Sequence, residues 1–235
     1  YLAKDHFVNQ ILRGFGIPVN KIVLLDKPIK IKEVIVPCQR YGFGYLDQTD
    51  DLFKVFIKSF KFRPQLPRAF ENADKIYVSR SKLPIRLGRP IGEKLFEQYL
   101  TSNGYKILHP EYYTLYQQLT ILSNARKIIF CDGSAVHACV LLPELKADIA
   151  VISRRKDPFE RNYFATIQQF ANHGKSIFWI DEIIDQYQFG MEPWDALSYV
   201  DWYKASNILK KNEFLDVAFS EMLDWPLLIR RELQE

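Results

Sequence analysis

The chain has 235 residues, 48% of them apolar, 26% charged and 14% aromatic, an ordinary globular composition with room for one large domain or two small ones. Its formal net charge of +4 is too weak to point to nucleic acid, and suits an anionic small ligand or an anionic membrane surface. Three cysteines, Cys38, Cys131 and Cys139, are too few and too scattered for a disulfide framework or a zinc site, so a reducing compartment is expected.

Phe7, Ile11 and Leu12 predict a short helix ended by Gly14 and Gly16. Lys21–Leu25 and Glu33–Val36 are apolar runs closed by prolines and read as strands. Gln39–Gln48 is loop-like, and Asp50–Phe60 reads as a helix with Leu52, Val55, Phe56 and Phe60 along one face. Arg63-Pro64-Gln65-Leu66-Pro67 is the best linker candidate. Beyond it the pattern is regular. Lys75–Ser79 is a strand, Ile91–Leu100 a helical stripe stopped by Asn103-Gly104, and Tyr105–Leu108 a strand. Leu115–Ala125 is a helix, Lys127–Cys131 a strand, Ser134–Leu142 a short helix and Asp148–Ser153 a strand. Phe159–Phe170 reads as a helix and Ser176–Ile180 as a strand. From Glu192 onward the chain reads as helical, with Trp194, Trp202 and Trp225 as packing anchors. Cys131 and Cys139 lie in apolar runs and read as core.

Strands alternating with helices at this spacing predict an α/β fold: a parallel, doubly wound, Rossmann-like sheet with helices on both faces. The expected organisation is a partial N-terminal α/β segment over 1–70, a Rossmann-like nucleotide-binding domain over 71–190 and a helical tail over 191–235. No apolar run approaches the ~20 residues that span a bilayer, and no signal peptide is visible. The lack of an initiator methionine points to an incomplete or processed chain.

In open α/β sheets ligands sit beyond the carboxyl ends of the strands, so the residues that follow each strand are the informative ones. Ser79-Arg80 ends the first strand, and Arg86 and Arg89 follow. A guanidinium is a planar fork that fits phosphate oxygens, although a solvated basic loop has the same composition. Asp132-Gly133-Ser134-Ala135 links the next-but-one strand to a helix. Gly133 allows close approach of backbone to ligand, Ser134 can cap the helix or bond a phosphate, and the free amides favour an anion. His137 lies in the same helix, Glu111 follows another strand, and Gln118 sits on the helix after it.

Ile76-Tyr77-Val78-Ser79-Arg80, Arg89-Pro90-Ile91-Gly92-Glu93, Pro110-Glu111, Gln118, Ala125 and Asp132-Gly133-Ser134-Ala135-Val136-His137 form an ordered series. That series resembles glycosyltransferase family 61, most closely its bacterial branch placed with capsule or lipopolysaccharide synthesis. The resemblance implies a two-domain GT-B architecture and metal-independent, inverting transfer from a nucleotide-sugar, with a UDP-sugar the expected donor and no cofactor. It implies that Arg80 and Arg89 hold the diphosphate, with backbone amides from Gly133, Ser134 and Ala135; Arg86 and His137, from their places after a strand and in a helix, are further candidates for the diphosphate. Ser79, Glu93, Glu111, Gln118 and Asp132 would lie on the nucleoside and sugar side. Where the family usually has asparagine after its second arginine, this chain has Glu93, and Asp132 stands where the family often has histidine.

The implied partners are the nucleotide-sugar and a glycan or lipid-linked glycan acceptor. The implied place is the cytoplasm, at the inner face of a membrane, and the helical tail over Lys210–Glu235 is available either to pack back across the cleft or for self-association. Asp47, Asp50 and His6 are available as a base, and nothing singles one out. The alternatives are a non-catalytic sugar-nucleotide-binding or scaffold protein, and an enzyme of the polysaccharide pyruvyltransferase kind on a similar scaffold.

Overall fold

A computed structural model describes residues 7–23, 25, 27–35, 41–42, 45–46, 55, 57–61, 63–142, 144–156, 176–188 and 196–219. Helix α1 spans Phe7–Gly14, and a two-stranded antiparallel ladder pairs β1 (Tyr41–Gly42) with β2 (Tyr45–Leu46). The body is a five-stranded parallel sheet of β3 (Lys75–Val78), β4 (Lys106–Leu108), β5 (Lys127–Cys131), β6 (Asp148–Ile152) and β7 (Ile177–Ile180). Helix α2 (Glu93–Ser102) joins β3 to β4, and α3 (Leu115–Asn124) joins β4 to β5. A 3-10 helix, Ser134–Leu141, lies between β5 and β6.

Alternation along the strands builds two cores. Ile76, Val78, Ile128, Phe130, Ile149 and Val151 face one side, against Leu115, Leu119 and Leu122 of α3. Tyr77, Ile129, Cys131, Ala150 and Ile152 face the other, against Phe96 and Leu100 of α2. With both faces covered, the strands read as continuous apolar runs, which is why they were legible. Cys131 and Cys139 are buried thiols, as expected. Helix α2 stops at Gly104, whose φ of 84° suits glycine, and the Tyr105 amide donates to the Leu100 carbonyl at 3.0 Å. Thr114 starts α3 with a capping box closed by Gln117.

The sheet runs in the order β4-β3-β5-β6-β7. The chain leaves β3 towards one edge and leaves β5 towards the other. A crevice must therefore open between the carboxyl ends of β3 and β5. Helix α1 borders this crevice and is bolted to α3: Gln10 Oε1 accepts from the Leu115 amide at 2.8 Å, and the Tyr116 hydroxyl donates to the Gln10 carbonyl at 3.0 Å.

Three expectations change. Lys21–Leu25 and Glu33–Val36 form no strand among their described residues. Val23, Leu25, Val34 and Ile35 are exposed, and no strand among the described residues pairs with either run. The helical reading from Glu192 onward is corrected at Ala196–Val200. That run is β9, antiparallel to β8 (Ile183–Gln188). Every residue of β9 is buried, so it lacks the alternation that marks a half-exposed strand. Helix α4 (Trp202–Lys211) follows, capped by Asp201 and stacked through Trp202 on Phe96 with ring centroids 4.4 Å apart. The expected loop over Gln39–Gln48 contains the short β1–β2 pair. The expected helix over Phe159–Phe170, most of the Asp50–Phe60 helix, Cys38, Trp194 and Trp225 lie outside the described residues.

Candidate functional site

A cleft of about 770 Å³ opens at the crevice, within the size range of small-molecule sites. Its floor is Val78, Ser79 and Arg80 from the end of β3, and Cys131 and Gly133 from the end of β5. Ser134, Ala135 and His137 form one wall, and the Pro110–Leu115 turn with Gln118 forms another. Phe7, Gln10 and Ile11 of α1 close the third.

Arg80 is held by two of its three guanidinium nitrogens. Nε donates to the Gly88 carbonyl at 3.1 Å, and Nη2 donates to the carbonyls of Leu87 at 2.7 Å and Gly88 at 3.1 Å. The third, Nη1, lies over Gly133. The fork is thus pre-set by the 3-10 turn Ile85–Leu87, and its remaining nitrogen points to the glycine turn across the cleft floor.

The Asp132-Gly133 turn is clamped from the other side. Arg154 Nε donates to the Asp132 carbonyl at 2.9 Å, and Arg155 Nε lies 3.2 Å from an Asp132 carboxylate oxygen. Burial first, and then the nearby Arg80 charge, lower the Arg154 pKa to about 10. It remains a cation at neutral pH. Three guanidiniums and one carboxylate therefore gather at the ends of β3, β5 and β6. Beyond Gly133, the first-turn amides of Ser134 and Ala135 are of the kind that a helix start leaves without an intrahelical acceptor.

The second wall is organised by Gln118. Its Nε2 donates to the carbonyls of Pro110 at 2.8 Å and Tyr113 at 2.9 Å, fixing the turn that presents Glu111 and Tyr112. Glu111 is exposed at the rim, and Thr114 rather than Glu111 caps α3. His137 and Ser134 are exposed on the opposite wall.

Of the residues expected from the sequence, the cleft brings together Ser79, Arg80, Glu111, Gln118, Gly133, Ser134, Ala135 and His137. Asp132 lies beneath the glycine turn, buried and paired with Arg155. Arg86 is exposed on the Ile85–Leu87 turn, outside the cleft lining. Arg89 is buried at 5% exposure, and its Nη1 donates to the carbonyls of Ser81 at 2.7 Å and Leu83 at 3.3 Å. It holds the Ser81–Arg89 loop together from inside. Glu93 is buried at 1% exposure behind β3, where its Oε1 accepts from the Arg80 amide at 3.0 Å. Burial raises its pKa to about 7, against the lowering effect of that amide.

Arg154 and Arg155 escaped the sequence reading, although they follow Asp148–Ser153 as Arg80 follows Lys75–Ser79. The rule that located Arg80 locates them too. Glu97 was hidden inside the apolar stripe of α2. Asp47, Asp50 and His6, the available bases, lie outside the described residues.

Compared with known families, the chain matches the model of the family described as Glycosyltransferase 61 over residues 5–149. Every residue that lines the cleft falls inside that span. The comparison with curated proteins found no match.

Proposed function

The chain belongs to glycosyltransferase family 61 and is a glycosyltransferase, and from that premise we propose that the cleft between β3 and β5 holds the diphosphate of a nucleotide-sugar donor. One observation carries this reading: the Arg80 guanidinium is pre-set over Gly133 at the topological switch point. A diphosphate placed there meets Arg80 from one side and the Ser134 and Ala135 amides from the other. Charge-assisted bonds of this kind are the strong ones. The nucleoside end would run along the Pro110–Tyr113 turn, where Glu111 and the Tyr112 ring line the wall.

Transfer breaks the bond between the anomeric carbon and the diphosphate as an acceptor hydroxyl attacks from the opposite face. The hydroxyl proton passes to a base, and the nucleoside diphosphate leaves with the bonding electrons. Cationic charge fixed on the diphosphate stabilises that departure, because the donors are already oriented when charge develops. In this reading Arg80 and the helix-start amides do the work that a metal ion does elsewhere, the configuration inverts, and a UDP-sugar is the first donor to test. The acceptor is a glycan or lipid-linked glycan of a bacterial surface polysaccharide, in keeping with the resemblance in sequence. No helix among the described residues is long and apolar enough to cross a membrane, so a lipid-linked acceptor would be met peripherally by the described part.

The test is calorimetric titration with UDP, GDP, CMP and their sugars, with and without divalent metal. A nucleotide diphosphate that binds without metal, and no longer binds to Arg80→Ala, is the expected result. Binding that survives Arg80→Ala unchanged would sink the assignment of this pocket.

A further inference from the structure

Behind the cleft floor, on the α2 face of β3, lies a polar cluster that the donor reading leaves unused. Glu93 and Glu97 project from successive turns of α2 onto the end of β3. Glu93 Oε1 accepts from the Tyr77 hydroxyl at 2.8 Å and from the Arg80 amide at 3.0 Å, and lies 3.1 Å from Ser79 Oγ. Its Oε2 is buried and meets no hydrogen-bond partner among the described residues. Glu97 Oε1 accepts from the Ser81 hydroxyl at 2.6 Å and also touches Ser79 Oγ. Ser79 Oγ in turn accepts from the Ser81 amide at 2.9 Å.

Counting hydrogens decides what this cluster is. A serine hydroxyl has one hydrogen and two lone pairs. The Ser81 amide occupies one lone pair of Ser79 Oγ. The single hydrogen can reach one of the two carboxyl oxygens. The other contact closes only if that carboxyl carries a proton and donates it to the second lone pair. Two ionised carboxylates would set lone pair against lone pair in a buried site, with a repulsion that low dielectric magnifies.

We propose that Glu93 and Glu97 hold one proton between them across Ser79, and that this pair positions the Ser79–Arg80 turn, so that donor binding weakens when the proton is lost. The inference rests on the donor reading for its last clause only. When the proton passes to water, a second negative charge appears behind β3; the Arg80 amide favours the ionised carboxylate and keeps its bond, so the contacts across Ser79 are the ones that must rearrange, and the turn moves with them. Arg80 cannot compensate through its side chain, because its guanidinium is turned away to the Leu87 and Gly88 carbonyls.

Among the described residues, the titratable and charged groups that face the pair are few. From β3 comes Tyr77, and from β5 Cys131; burial pushes both pKa values well up, so both are neutral in the relevant range. From beyond β4 comes His109, whose Nε2 lies 3.9 Å from Glu97 Oε1. Past Cys131 lie Arg154 and Asp132. Burial as the leading cause places Glu93 at about 7, which agrees with a proton retained near neutrality.

Three measurements on the whole chain test this. Infrared titration is expected to show a protonated carboxyl band at about pH 6 that fades towards about pH 8.5 in wild type and is missing from Glu93→Gln. The Arg80 amide 15N shift should titrate with the band in wild type and stay flat in Glu93→Gln. The dissociation constant of UDP-glucose should rise on the order of tenfold over that range in wild type, and less than about twofold in Glu93→Gln. No such band at about pH 6, or a band unchanged in Glu93→Gln, overturns the shared proton. A flat Arg80 shift in wild type overturns the positioning role. If UDP, GDP, CMP and their sugars all fail to bind at any pH while band and shift still titrate, the donor reading fails and the proton pair with its hold on Arg80 stands.

Discussion

A Cβ built on Gly133 would lie 2.4 Å from Arg80 Nη1, so the glycine at the end of β5 and the arginine at the end of β3 fit each other with no space between. Gly133 has a φ of 167°, an extended conformation open to any residue, so the steric cost of a side chain there falls on Arg80 and not on the backbone. Gly133→Ala should therefore push the guanidinium off its seat. Donor affinity is expected to fall about tenfold or more, since a charged hydrogen bond contributes about 1.5–3 kcal/mol. The melting temperature should move by no more than about 2 °C, a fraction of a kcal/mol in a chain this size. Calorimetry paired with a thermal melt checks both halves. A large loss of stability with intact affinity would refute the relationship.

Arg80 and Arg89 should separate cleanly. Arg80→Ala is expected to lower turnover by on the order of 10²-fold, as loss of one preorganised donor does, and to cost less stability than Arg89→Ala, because the Leu87 and Gly88 carbonyls it leaves are in exposed or part-buried contacts that water can take over. Arg89→Ala removes donors from the Ser81 and Leu83 carbonyls inside the protein, and should cost about 1–3 kcal/mol of stability. Steady-state kinetics and urea unfolding on the two variants read the difference.

Arg155→Ala leaves the Asp132 carboxylate, 6% exposed, without its guanidinium. Unfolding free energy should drop by about 1–3 kcal/mol, and Asp132→Asn in the same background should recover part of it. The double-mutant cycle in urea is the measurement. Additive losses would mean that the pair contributes nothing to the turn.

Stability should fall with rising pH through the range in which Glu93 titrates. The folded-state pKa, about 7, lies above the unfolded value of 4.5. The folded protein therefore binds more protons between these values, and the stabilising contribution is full below 4.5 and lost as pH rises through 7. The loss attributable to Glu93 is on the order of 3 kcal/mol. Urea midpoints at a series of pH values should show it, and Glu93→Gln should flatten the dependence.

Much of the sheet was legible because β3, β5 and β6 are buried on both faces and carry unbroken apolar runs. The same property hid β9: Ala-Leu-Ser-Tyr-Val has no alternation, and the tryptophans around it suggested helix. At Lys21–Leu25 and Glu33–Val36 composition favoured strands, but a strand needs a neighbour, which composition does not supply. At the site, the backbone positions read well. Arg80, Gly133, Ser134 and Ala135 line the cleft, and their place there is readable because topology alone says where a doubly wound sheet opens. Side-chain direction was not legible. Nothing in Arg89-Pro90-Ile91-Gly92-Glu93 reveals that Arg89 turns into its own loop and Glu93 behind the strand. Their burial depends on Ser81, Leu83 and Tyr77, which arrive through the fold.

The bridge between Pro90 and Ser198 has a practical consequence. The Ile91 amide donates to the Ser198 carbonyl at 2.8 Å, the Ser198 amide donates to the Arg89 carbonyl at 3.2 Å, and Trp202 Nε1 donates to the Ile91 carbonyl at 2.9 Å. The loop that seats Arg80 is therefore stitched to residues far beyond 149, where the family match stops. A fragment trimmed to that match would keep every cleft-lining side chain and lose the stitching. It would also bare Tyr77, Phe96 and Cys131, which pack under α4 and its neighbours. The segment that can be exchanged between relatives as a working unit is thus longer than the segment they share by sequence: grafts ending at 149 should yield insoluble or slack proteins, and grafts carried through α4 should not.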